Sequence, residues 1–552
     1  MTNYQFTGGT ICAPATIPGT GAISIIRVSG KESLAIADKV IDTKGVPIAE
    51  TEGYRLRYGT VFEADGSVLD NVIVSVFRAP HSYTGENSVE ISCHASRFIV
   101  NKILELLVNA GARIAAPGEF TRRAFVNGKM DLAQAEAVAD VIASQSAASH
   151  RVAMNQLKGG FSSELKVLRE KLLTMTSLLE LELDFSEEDV EFASRKELGQ
   201  LVDDSLTHIG CLTASFSRGN AIKNGVPVAI VGATNTGKST LLNALLGEER
   251  AIVSDIAGTT RDTIEETLNI DGILFRFIDT AGIRETDETI EKIGIDRTFK
   301  KLGEAAVVLG MTDLSRGEAA VLEDADFILS KVNEMGGVKN DGTENDGSET
   351  SGASTAETGG APLAETGRTP LSETGGASQH GLGAGQERKV VILVNKCDVA
   401  GSFYKDDNGT GCDSGNDLGE NMAEIGGNKN VNRDNNIVSL IENKYDNCKV
   451  IPISAKTGKG LSTLTKTLGE IGSEITGSTD ETLVTNVRHY EALVRAASAL
   501  ERVRAGLHIA TLPPDLIAQD LREALYHLGE IVGEITTDET LGNIFRNFCI
   551  GK

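Results

Sequence analysis

The sequence predicts a multidomain protein that combines α/β domains with an α-helical domain. Short strands separated by turn residues fill positions 1–125, which indicates a mixed α/β domain. Amphipathic helical patterns occupy residues 126–222 and 473–552, and strand and helix patterns alternate over 223–472 between them. Two helical blocks around an alternating block indicate one helical domain with a doubly wound α/β domain inserted into it.

Two apolar runs in the N-terminal domain are typical of strands. They are AISIIRVSG at residues 22–30 and VLDNVIVSVF at residues 68–77. Turn signals break the domain at Pro18-Gly19, Asp65-Gly66 and Pro117-Gly118.

Apolar residues at helical spacing define the helical domain. Its first helix is expected to begin at the N-cap Asp131 and to present Leu132, Ala135, Val138 and Ile142 on one face. The same spacing recurs in three further stripes, namely Leu165, Leu168, Leu172, Met175 and Leu179; Tyr490, Leu493, Ala497, Leu500, Val503 and Leu507; and Leu521, Leu525, Leu528 and Val532.

Two low-complexity segments are predicted to interrupt the inserted domain. Residues at about 335–388 contain an eight-residue repeat with units such as AETGGAPL and AETGRTPL. These units lack apolar surface to bury, and their period does not match a solenoid. A second segment, at about 401–446, is rich in Gly, Asn and Asp. We expect both segments to be disordered expansions rather than binding elements.

The bulk composition excludes several classes of protein. The 552 residues carry a net charge of -25, which argues against a generally basic nucleic-acid binder. The seven cysteines lack a C-x-x-C pair and zinc spacing, as is typical of a reducing compartment. The N-terminal residues lack signal-peptide or transit-peptide character, and no apolar run is long enough to span a membrane. We expect a cytoplasmic protein that does not associate with a membrane.

A phosphate-binding loop opens the inserted domain. The segment PVAIVGATNTGKSTLLNALLG reads as a strand, a G-x-x-x-x-G-K-S loop and a helix. Gly232 and Gly237 allow backbone N–H groups to converge on phosphate oxygens at the helix N-terminus. Lys238 is expected to neutralise charge on the β- and γ-phosphates, and the Ser239 hydroxyl is expected to coordinate Mg²⁺.

Later motifs of the same block point to guanine. Asp279 ends the strand of FRFIDTAG, where it can join the Mg²⁺ shell, and the Gly282 N–H can reach the γ-phosphate. Asn395, Lys396 and Asp398 follow the strand of VVILVNKCD. A carboxylate at position 398 can accept hydrogen bonds from N1–H and the 2-amino group of guanine, a pattern that adenine does not offer.

Two further motifs complete the nucleotide site. Ser454, Ala455 and Lys456 are expected beside the base, and Thr260 of TTRD supplies a second hydroxyl to Mg²⁺. In this order the motifs resemble those of a Ras-like GTPase, so the expected nucleotide is GTP. Many Ras-like enzymes orient water with a Gln directly after D-x-x-G. That position is Ile283 here, so hydrolysis needs another group.

Longer stretches resemble the family of tRNA-modification GTPases called MnmE or TrmE, which are TrmE-Era-EngA-type P-loop GTPases. The matching stretches are GTGAISIIRVSG, TGENSVEISCHA, APGEFTRRAFVNGKMDLAQAEAVADVI, GATNTGKST, AIVSDIAGTTRD, DTAGIRETDETIEKIGIDR and GEITTDETLGNIFRNFCIGK. The resemblance covers essentially all of the chain outside the two expansions. It implies a folate-binding, aminomethyltransferase-like N-terminal domain, a central helical domain and an inserted Ras-like GTPase domain.

The resemblance implies a K⁺ ion in the arginine-finger position when two GTPase domains meet. Its ligands would be Asn235, Ser254, Ile256 and Thr259, whose oxygens suit an alkali cation. The family usually has Thr where Ser254 stands, and either residue supplies an oxygen. Glu291 falls on the family's catalytic glutamate, which orients the attacking water. The implied GTP-binding residues are Asn235, Thr236, Gly237, Lys238, Ser239, Thr240, Ser254, Asp255, Ile256, Ala257, Gly258, Thr259, Thr260, Asp279, Thr280, Ala281, Gly282, Asn395, Lys396, Cys397, Asp398, Ser454, Ala455 and Lys456.

The resemblance also implies a folate site in an N-terminal domain that mediates homodimerisation. Arg27, Glu90 and Lys129 match the positions that hold a tetrahydrofolate derivative, either 5-formyl- or 5,10-methylenetetrahydrofolate. Arg and Lys suit the carboxylates of this cofactor, and Glu can pair with the donor edge of the pterin.

The last four residues, CIGK, match the closing C-[ILV]-G-K of the family. The match makes Lys552 a candidate folate contact, and it makes Cys549 either a nucleophile or a packing residue. A prenylation signal is disfavoured because the last two residues are Gly551 and Lys552. We expect the terminal segment to be an arm of the active site.

The implied activity is addition of a carboxymethylaminomethyl or aminomethyl group to C5 of the wobble uridine of certain tRNAs. The family acts jointly with the FAD-dependent partner MnmG (GidA), in a heterotetramer or larger complex, and FAD belongs to the partner alone. Folate supplies the one-carbon unit, and glycine or ammonium supplies the amine. GTP hydrolysis drives G-domain dimerisation and a conformational change.

Two alternatives differ in what the flanking domains do. One is a ribosome-assembly or signalling GTPase without folate chemistry. The other is a folate-dependent methyl-transfer enzyme that modifies tRNA alone, with a regulatory GTPase domain. Folate affinity separates the first alternative from the favoured function, and activity without a flavoprotein separates the second.

Overall fold

The computed structural model describes residues 8–63, 65–184, 194–248, 266–278, 303, 305–334, 388–398, 437–445, 448–477, 481–509, 513–546, 548 and 551. The chain divides into two compact units. The first unit comprises Met1–Lys223 and Thr476–Lys552, and the second comprises Asn224–Ile475. The inserted α/β block that the sequence predicts at 223–472 therefore corresponds closely to the second unit.

The helices and strands of the described residues follow one another along both units. In chain order they are β1 (Ile11–Pro14), β2 (Ile23–Ser29), α1 (Ser33–Val40), β3 (Ile41–Asp42), β4 (Arg55–Phe62), β5 (Val68–Phe77), β6 (Ser88–His94), α2 (Arg97–Asn109), β7 (Arg113–Ile114), α3 (Glu119–Val126), α4 (Leu132–Ala143), α5 (Ala147–Leu157), α6 (Gly160–Asp184), α7 (Arg195–Asn224), β8 (Val226–Gly232), α8 (Lys238–Glu248), β9 (Glu266–Ile270), β10 (Ile273–Ile278), β11 (Val307–Asp313), α9 (Glu318–Glu334), β12 (Lys389–Asn395), α10 (Ile437–Lys444), β13 (Cys448–Pro452), α11 (Leu461–Thr476), α12 (Val487–Leu507), α13 (Pro514–Val532) and α14 (Asp538–Arg546).

A seven-stranded sheet in the order β3-β4-β5-β6-β2-β1-β7 forms the N-terminal part of the first unit. All neighbouring strands are antiparallel except β1 and β7. Alternation along β5 buries Val72, Val74 and Val76 in the core beneath α1 and α2, whereas Ile73 is 47% exposed. The face opposite the helices is therefore exposed at β5, whereas at β1 it buries Ile11 and Ala13 with Phe120 of α3. Arg27 and Glu90 are register partners on β2 and β6.

The rest of the first unit is a helical bundle, and the predicted apolar stripes form its core. The stripe residues that are buried there are Leu165, Leu168, Leu172, Leu179, Leu493, Leu500, Val503, Leu521, Leu525, Leu528 and Val532. Met175, Tyr490, Ala497 and Leu507 are partly buried and pack against this core. None of the described helices is both long and apolar enough to cross a membrane.

Helix α4 begins where the sequence predicts. The Asp131 carboxylate accepts a hydrogen bond from the Gln134 N–H at 2.9 Å, and the Gln134 side chain accepts one from the Asp131 N–H at 3.0 Å. This capping box satisfies backbone donors that a helix start leaves open. The predicted apolar face is wrong at its last member, because Ile142 is 47% exposed.

The second unit contains a six-stranded sheet in the order β13-β12-β11-β8-β10-β9. Its neighbouring strands are parallel except for the edge pair β9 and β10. This is the doubly wound arrangement that the sequence predicts. Ligands bind such sheets at the carboxyl ends of the strands, and the chain after β8, β11, β12 and β13 meets at that edge.

The first predicted expansion, at about 335–388, lies outside the described residues apart from its last residue. The second, at about 401–446, overlaps helix α10 (Ile437–Lys444). Ile441 of this helix is fully buried in the core beside Val450 of β13. The predicted end of the second expansion is therefore wrong, because the folded domain resumes at residue 437.

Candidate functional site

The phosphate-binding loop joins β8, which ends at Gly232, to α8, which begins at Lys238. Asn235 has a φ of 61° and is exposed, and Gly237 has a φ of 101°. The Lys238 Nζ donates hydrogen bonds to the carbonyl oxygens of Gly232 and Ala233, both at 2.8 Å. Burial lowers the pKa of Lys238. The loop thus curls around its own lysine at the start of a helix, a geometry that suits a polyphosphate.

Asn395 connects this loop with the segment after β13. Its Nδ2 donates to the Thr236 carbonyl oxygen at 2.7 Å, and its Oδ1 accepts from the Ala455 N–H at 3.0 Å. The side chain is only 3% exposed. Since each of its polar ends meets a backbone group of a different loop, Asn395 holds two parts of the predicted nucleotide site in register.

Asp398 is placed at the same edge by Ser454. The Ser454 hydroxyl donates to Asp398 Oδ1 at 2.7 Å and accepts from the Thr457 N–H at 3.3 Å. Ser454 is fully buried whereas Asp398 is exposed. The serine therefore orients the exposed carboxylate through one of its oxygens.

Asp313 at the end of β11, which sequence reasoning did not single out, contacts Lys396 of the predicted nucleotide site. Its Oδ2 lies 2.6 Å from the Lys396 Nζ, and its Oδ1 accepts from the Ser315 N–H at 2.9 Å. Burial raises the pKa of Asp313, but the hydrogen bonds from Lys396 and Ser315 outweigh it, so the pKa is lowered. Lys396 has a φ of 65°, and this ion pair fixes its side chain. The position of Asp313 at the carboxyl end of a predicted strand was the sequence signal that could have identified it.

For the other predicted nucleotide-site residues, the structure gives mainly their burial or does not describe them. Ser239 is half-buried, Thr240 and Lys456 are exposed, and Cys397 is buried with its Sγ 3.3 Å from the Val394 carbonyl oxygen. The predicted site residues that lie outside the described part of the chain are Ser254, Asp255, Ile256, Ala257, Gly258, Thr259, Thr260, Asp279, Thr280, Ala281, Gly282, Glu291, Cys549 and Lys552.

Arg27 and Glu90 form a second polar site on the face of the N-terminal sheet opposite α1 and α2. The Arg27 Nε and Nη2 each lie 2.9 Å from Glu90 Oε1. The guanidinium carbon lies 5.1 Å from the ring centre of Tyr83 and 5.7 Å from that of Phe120. The Tyr83 hydroxyl is in turn 2.8 Å from the Thr121 hydroxyl. The two rings, which sequence reasoning missed, hold the cation in an amphipathic niche.

The structure does not bring Lys129 into contact with this pair within the described residues. Its Nζ instead donates to the Pro80 carbonyl oxygen at 3.0 Å. Arg27 Nη1 donates to the carbonyl oxygen of Gly551 at 3.3 Å. Gly551 of the C-terminal segment therefore reaches the Arg27 niche.

Comparison with known proteins identifies the family to which the chain is similar. A model of the MnmE helical domain matches residues 132–549, and a model of the GTP-binding protein TrmE N-terminus matches residues 10–129. The chain is similar to the tRNA modification GTPase MnmE of Parabacteroides distasonis, with 45% identity over 98% of this chain and 100% of that protein. It is 43% identical to the protein of the same name from Porphyromonas gingivalis, over 100% of this chain and 99% of that one.

A solved structure, the FeoB G-domain of Methanococcus jannaschii, matches 45% of this chain and 98% of its own, with 20% identity and a TM-score of 0.23. That similarity is too low to support a structural conclusion. The family models and the full-length relatives, together with the ordered nucleotide motifs on one sheet edge, lead to a single assignment. The chain belongs to the MnmE family of tRNA modification GTPases.

Proposed function

We propose that this protein is a K⁺-dependent GTPase that builds a carboxymethylaminomethyl or aminomethyl group on C5 of the wobble uridine of certain tRNAs. GTP hydrolysis in tRNA modification follows from the family. The observation that carries the nucleotide part is the contact of Asn395 with both Thr236 and Ala455. It gathers the phosphate loop and the base-side loop on one edge of the sheet.

Guanine selection is assigned to Asp398. Its carboxylate, oriented by Ser454, would accept from N1–H and the 2-amino group. Asp398→Asn should therefore weaken GTP binding about 10- to 100-fold, as expected for loss of hydrogen bonds to a charged acceptor. Inosine triphosphate, which lacks the 2-amino group, is the matched ligand for titration calorimetry. A variant that keeps the wild-type preference for GTP over inosine triphosphate would contradict the assignment.

Binding of Mg²⁺ and of K⁺ is assigned to residues of the phosphate-binding loop and of the segment that follows α8. Mg²⁺ would be held by the hydroxyls of Ser239 and Thr260 and would neutralise phosphate charge. The exposed Asn235, with its left-handed backbone, offers an amide oxygen to K⁺ at the loop. Ser254, Ile256 and Thr259 would complete the K⁺ shell.

Glu291 would orient the attacking water, because Ile283 cannot. Hydrolysis rates in KCl and in NaCl test the K⁺ requirement, and equal rates would refute it. Asn235→Lys and Glu291→Ala should each slow hydrolysis while leaving GTP affinity nearly unchanged. A parallel loss of GTP affinity would assign either residue to binding instead.

A tetrahydrofolate derivative is the proposed ligand of the Arg27 niche. The Arg27 side chain is 18% exposed, and a guanidinium is suited to binding a carboxylate. Glu90, Lys129 and Lys552 are the other proposed contacts. Titration with 5-formyltetrahydrofolate tests the assignment. A wild-type protein with no folate affinity would favour a ribosome-assembly or signalling GTPase.

The sheet face exposed at β5 also supports a homodimer. Tyr54, Leu56, Tyr58 and Ile73 are between 47% and 69% exposed on β4 and β5 or directly before them. Tyr58 and Ile73 are register partners, so their side chains form a continuous apolar surface. Tyr58→Lys should shift the sedimenting species towards a monomer, whereas the exposed helical substitution Lys102→Ala should not.

The modification itself is proposed to require the FAD-dependent partner MnmG (GidA), tRNA, and glycine or ammonium as amine donor. Nucleoside mass spectrometry of tRNA incubated with this protein, with and without the flavoprotein, tests this requirement. Modification without the flavoprotein would instead support a folate-dependent transferase that acts alone. Cys549→Ser in the same assay separates a nucleophile, whose loss abolishes product, from a packing residue.

A further inference from the structure

The C-terminal arm, defined here as α14 with Phe548 and Gly551, lies against the N-terminal sheet domain at two glycines. At one end, Gly118 precedes α3 with a φ of 65°. A Cβ on Gly118 would lie 2.7 Å from the Phe545 carbonyl oxygen and 2.9 Å from the Phe548 Cβ. No L-side chain fits this position without displacing the arm.

At the other end, the arm supplies the glycine. Gly551 is buried with a φ of 98°, and a Cβ there would overlap the carbonyl oxygen of Pro14 at the end of β1. Ala13, the residue before Pro14, is the register partner of Arg27 on β2. We call the close contact of Gly551 with Pro14 the seat of Gly551. This seat is built from β1, the strand next to the one that carries Arg27.

The seated Gly551 also contacts Arg27 directly. Its carbonyl oxygen accepts a hydrogen bond from Arg27 Nη1 at 3.3 Å, while Nε and Nη2 are held by Glu90. Phe120, whose ring lies 5.7 Å from the Arg27 guanidinium carbon, is on α3 two residues after Gly118. The arm contacts at Gly118 and at Gly551 are thus both connected to the Arg27 guanidinium, through Phe120 and through a hydrogen bond respectively.

We infer that Gly551 is a positioning residue for the Arg27 niche, because its seat places a carbonyl oxygen that fixes the guanidinium. The inference rests on the proposed folate function and adds a regulation to it. A ligand carboxylate meets a guanidinium that the arm has already oriented, so less ordering is left for the binding step. By linkage, a bound ligand in turn stabilises the seated arm. Arm seating and folate binding are therefore cooperative.

The test compares glycines of the same arm in the full chain. Gly551→Ala should weaken binding of 5-formyltetrahydrofolate about tenfold, a typical magnitude for coupling between two binding events. Gly542→Ala is the control, because a Cβ at this position of α14 has no neighbour within 4 Å. Its folate affinity should match that of the wild type. Gly118→Ala should act in the same direction as Gly551→Ala.

A double-mutant cycle with Arg27→Lys distinguishes positioning from general loss of structure. If Gly551 acts through Arg27, Gly551→Ala has little further effect on folate affinity once Arg27 is replaced. Additive effects would overturn the inference, as would wild-type affinity in Gly551→Ala. Unfolding temperature and GTP hydrolysis are measured on each variant, so that a global defect is recognised.

Amide exchange of the arm gives a readout that does not depend on folate. Exchange in α14 should be faster in Gly551→Ala than in the wild type, and 5-formyltetrahydrofolate should slow it in the wild type. Equal exchange in Gly551→Ala and the wild type overturns the seat. In a further outcome, the wild type binds no folate while Gly551→Ala still exchanges faster in α14. That result overturns the proposed folate function and the cooperativity, and it supports only the packing of Gly551 in its seat.

Discussion

The Oε2 of Glu136 lies 2.6 Å from the Nε2 of His489, and both side chains are buried in the helical domain. Arg488 reaches the same carboxylate, with Nε 2.9 Å from Oε1 and Nη2 3.1 Å from Oε2. Arg488 also donates to the carbonyl oxygens of Glu530 and Ile531 at 2.7 and 3.1 Å. These bonds join α4, α12 and α13 through one carboxylate.

Helix α4 also holds the residue before the chain enters the second unit. Asp140, one turn after Glu136, lies 2.8 Å from the Nζ of Lys223. Lys223 is the last residue of the first unit before the insertion, and Arg488 follows the return of the chain. One face of α4 therefore anchors the segments on both sides of the inserted domain.

The buried carboxylate of Glu136 should contribute strongly to stability. Glu136→Ala removes the buried carboxylate that the buried His489 and the partly exposed Arg488 share, and breaking a buried pair in this way costs up to about 3–5 kcal/mol. Denaturant unfolding of the helical domain measures the loss. Glu105→Ala removes an exposed pair with Lys102 and should cost only about 0–1 kcal/mol. Similar losses in both variants would contradict the role given to burial.

The same cluster predicts acid sensitivity. Burial by itself raises the pKa of Glu136, but the charges and hydrogen bonds of His489 and Arg488 lower it to about 2 from the ordinary 4.5. Burial lowers the pKa of His489 below its ordinary 6.5, against the opposing effect of Glu136. Both groups therefore bind protons more readily in the unfolded chain, and stability falls as the pH falls.

The loss should begin below pH 6.5 through His489 and continue from pH 4.5 towards 2 through Glu136. Unfolding free energies measured across this range test the prediction. Glu136→Gln should be less stable than the wild type at neutral pH and should lose less stability below pH 4.5. A constant difference between the two proteins at every pH would show that Glu136 does not titrate with folding.

The segment by which the chain returns to the helical domain packs against α7 at Gly219. A Cβ on Gly219 would overlap the Val484 carbonyl oxygen, and the Val484 N–H donates to the Ser215 hydroxyl at 3.1 Å. Gly219→Ala should therefore destabilise the domain by about 1–3 kcal/mol through overpacking. Gly210→Ala, on the same helix with no neighbour within 4 Å, should stabilise it by up to about 1 kcal/mol. Thermal unfolding of the pair gives the comparison, and effects of the same sign would refute the close approach.

Asn395 should matter for nucleotide affinity through the loops that it joins. Asn395→Ala leaves the Thr236 carbonyl and the Ala455 N–H without this partner, at a cost of about 1–3 kcal/mol. GTP affinity should fall about tenfold or more, as measured by fluorescent-nucleotide titration. Asn109→Ala, at an exposed helix end of the first unit, is the control. Unchanged GTP affinity in Asn395→Ala would show that the loops hold their register without it.

Local patterns were enough for much of the fold and for the nucleotide motifs. Strand β5 spans the predicted apolar run, and the α4 capping box uses residues only three positions apart. Such features depend on near neighbours, so a sequence window contains their cause. The exposure of Ile142 and the folded helix after residue 436 were missed because each depends on what packs against the segment.

The sequence by itself determined the order of domains and the phosphate-binding loop, and it predicted the residues suited to guanine, because spacing along the chain carries those properties. The tertiary structure decided which groups that are distant in sequence form ion pairs or hydrogen bonds. Glu136 meets Arg488 across 352 residues, and Arg27 meets Gly551 across 524. No periodicity records such pairs, since a buried ion pair or a carbonyl contact requires only that folding bring two atoms within hydrogen-bond distance.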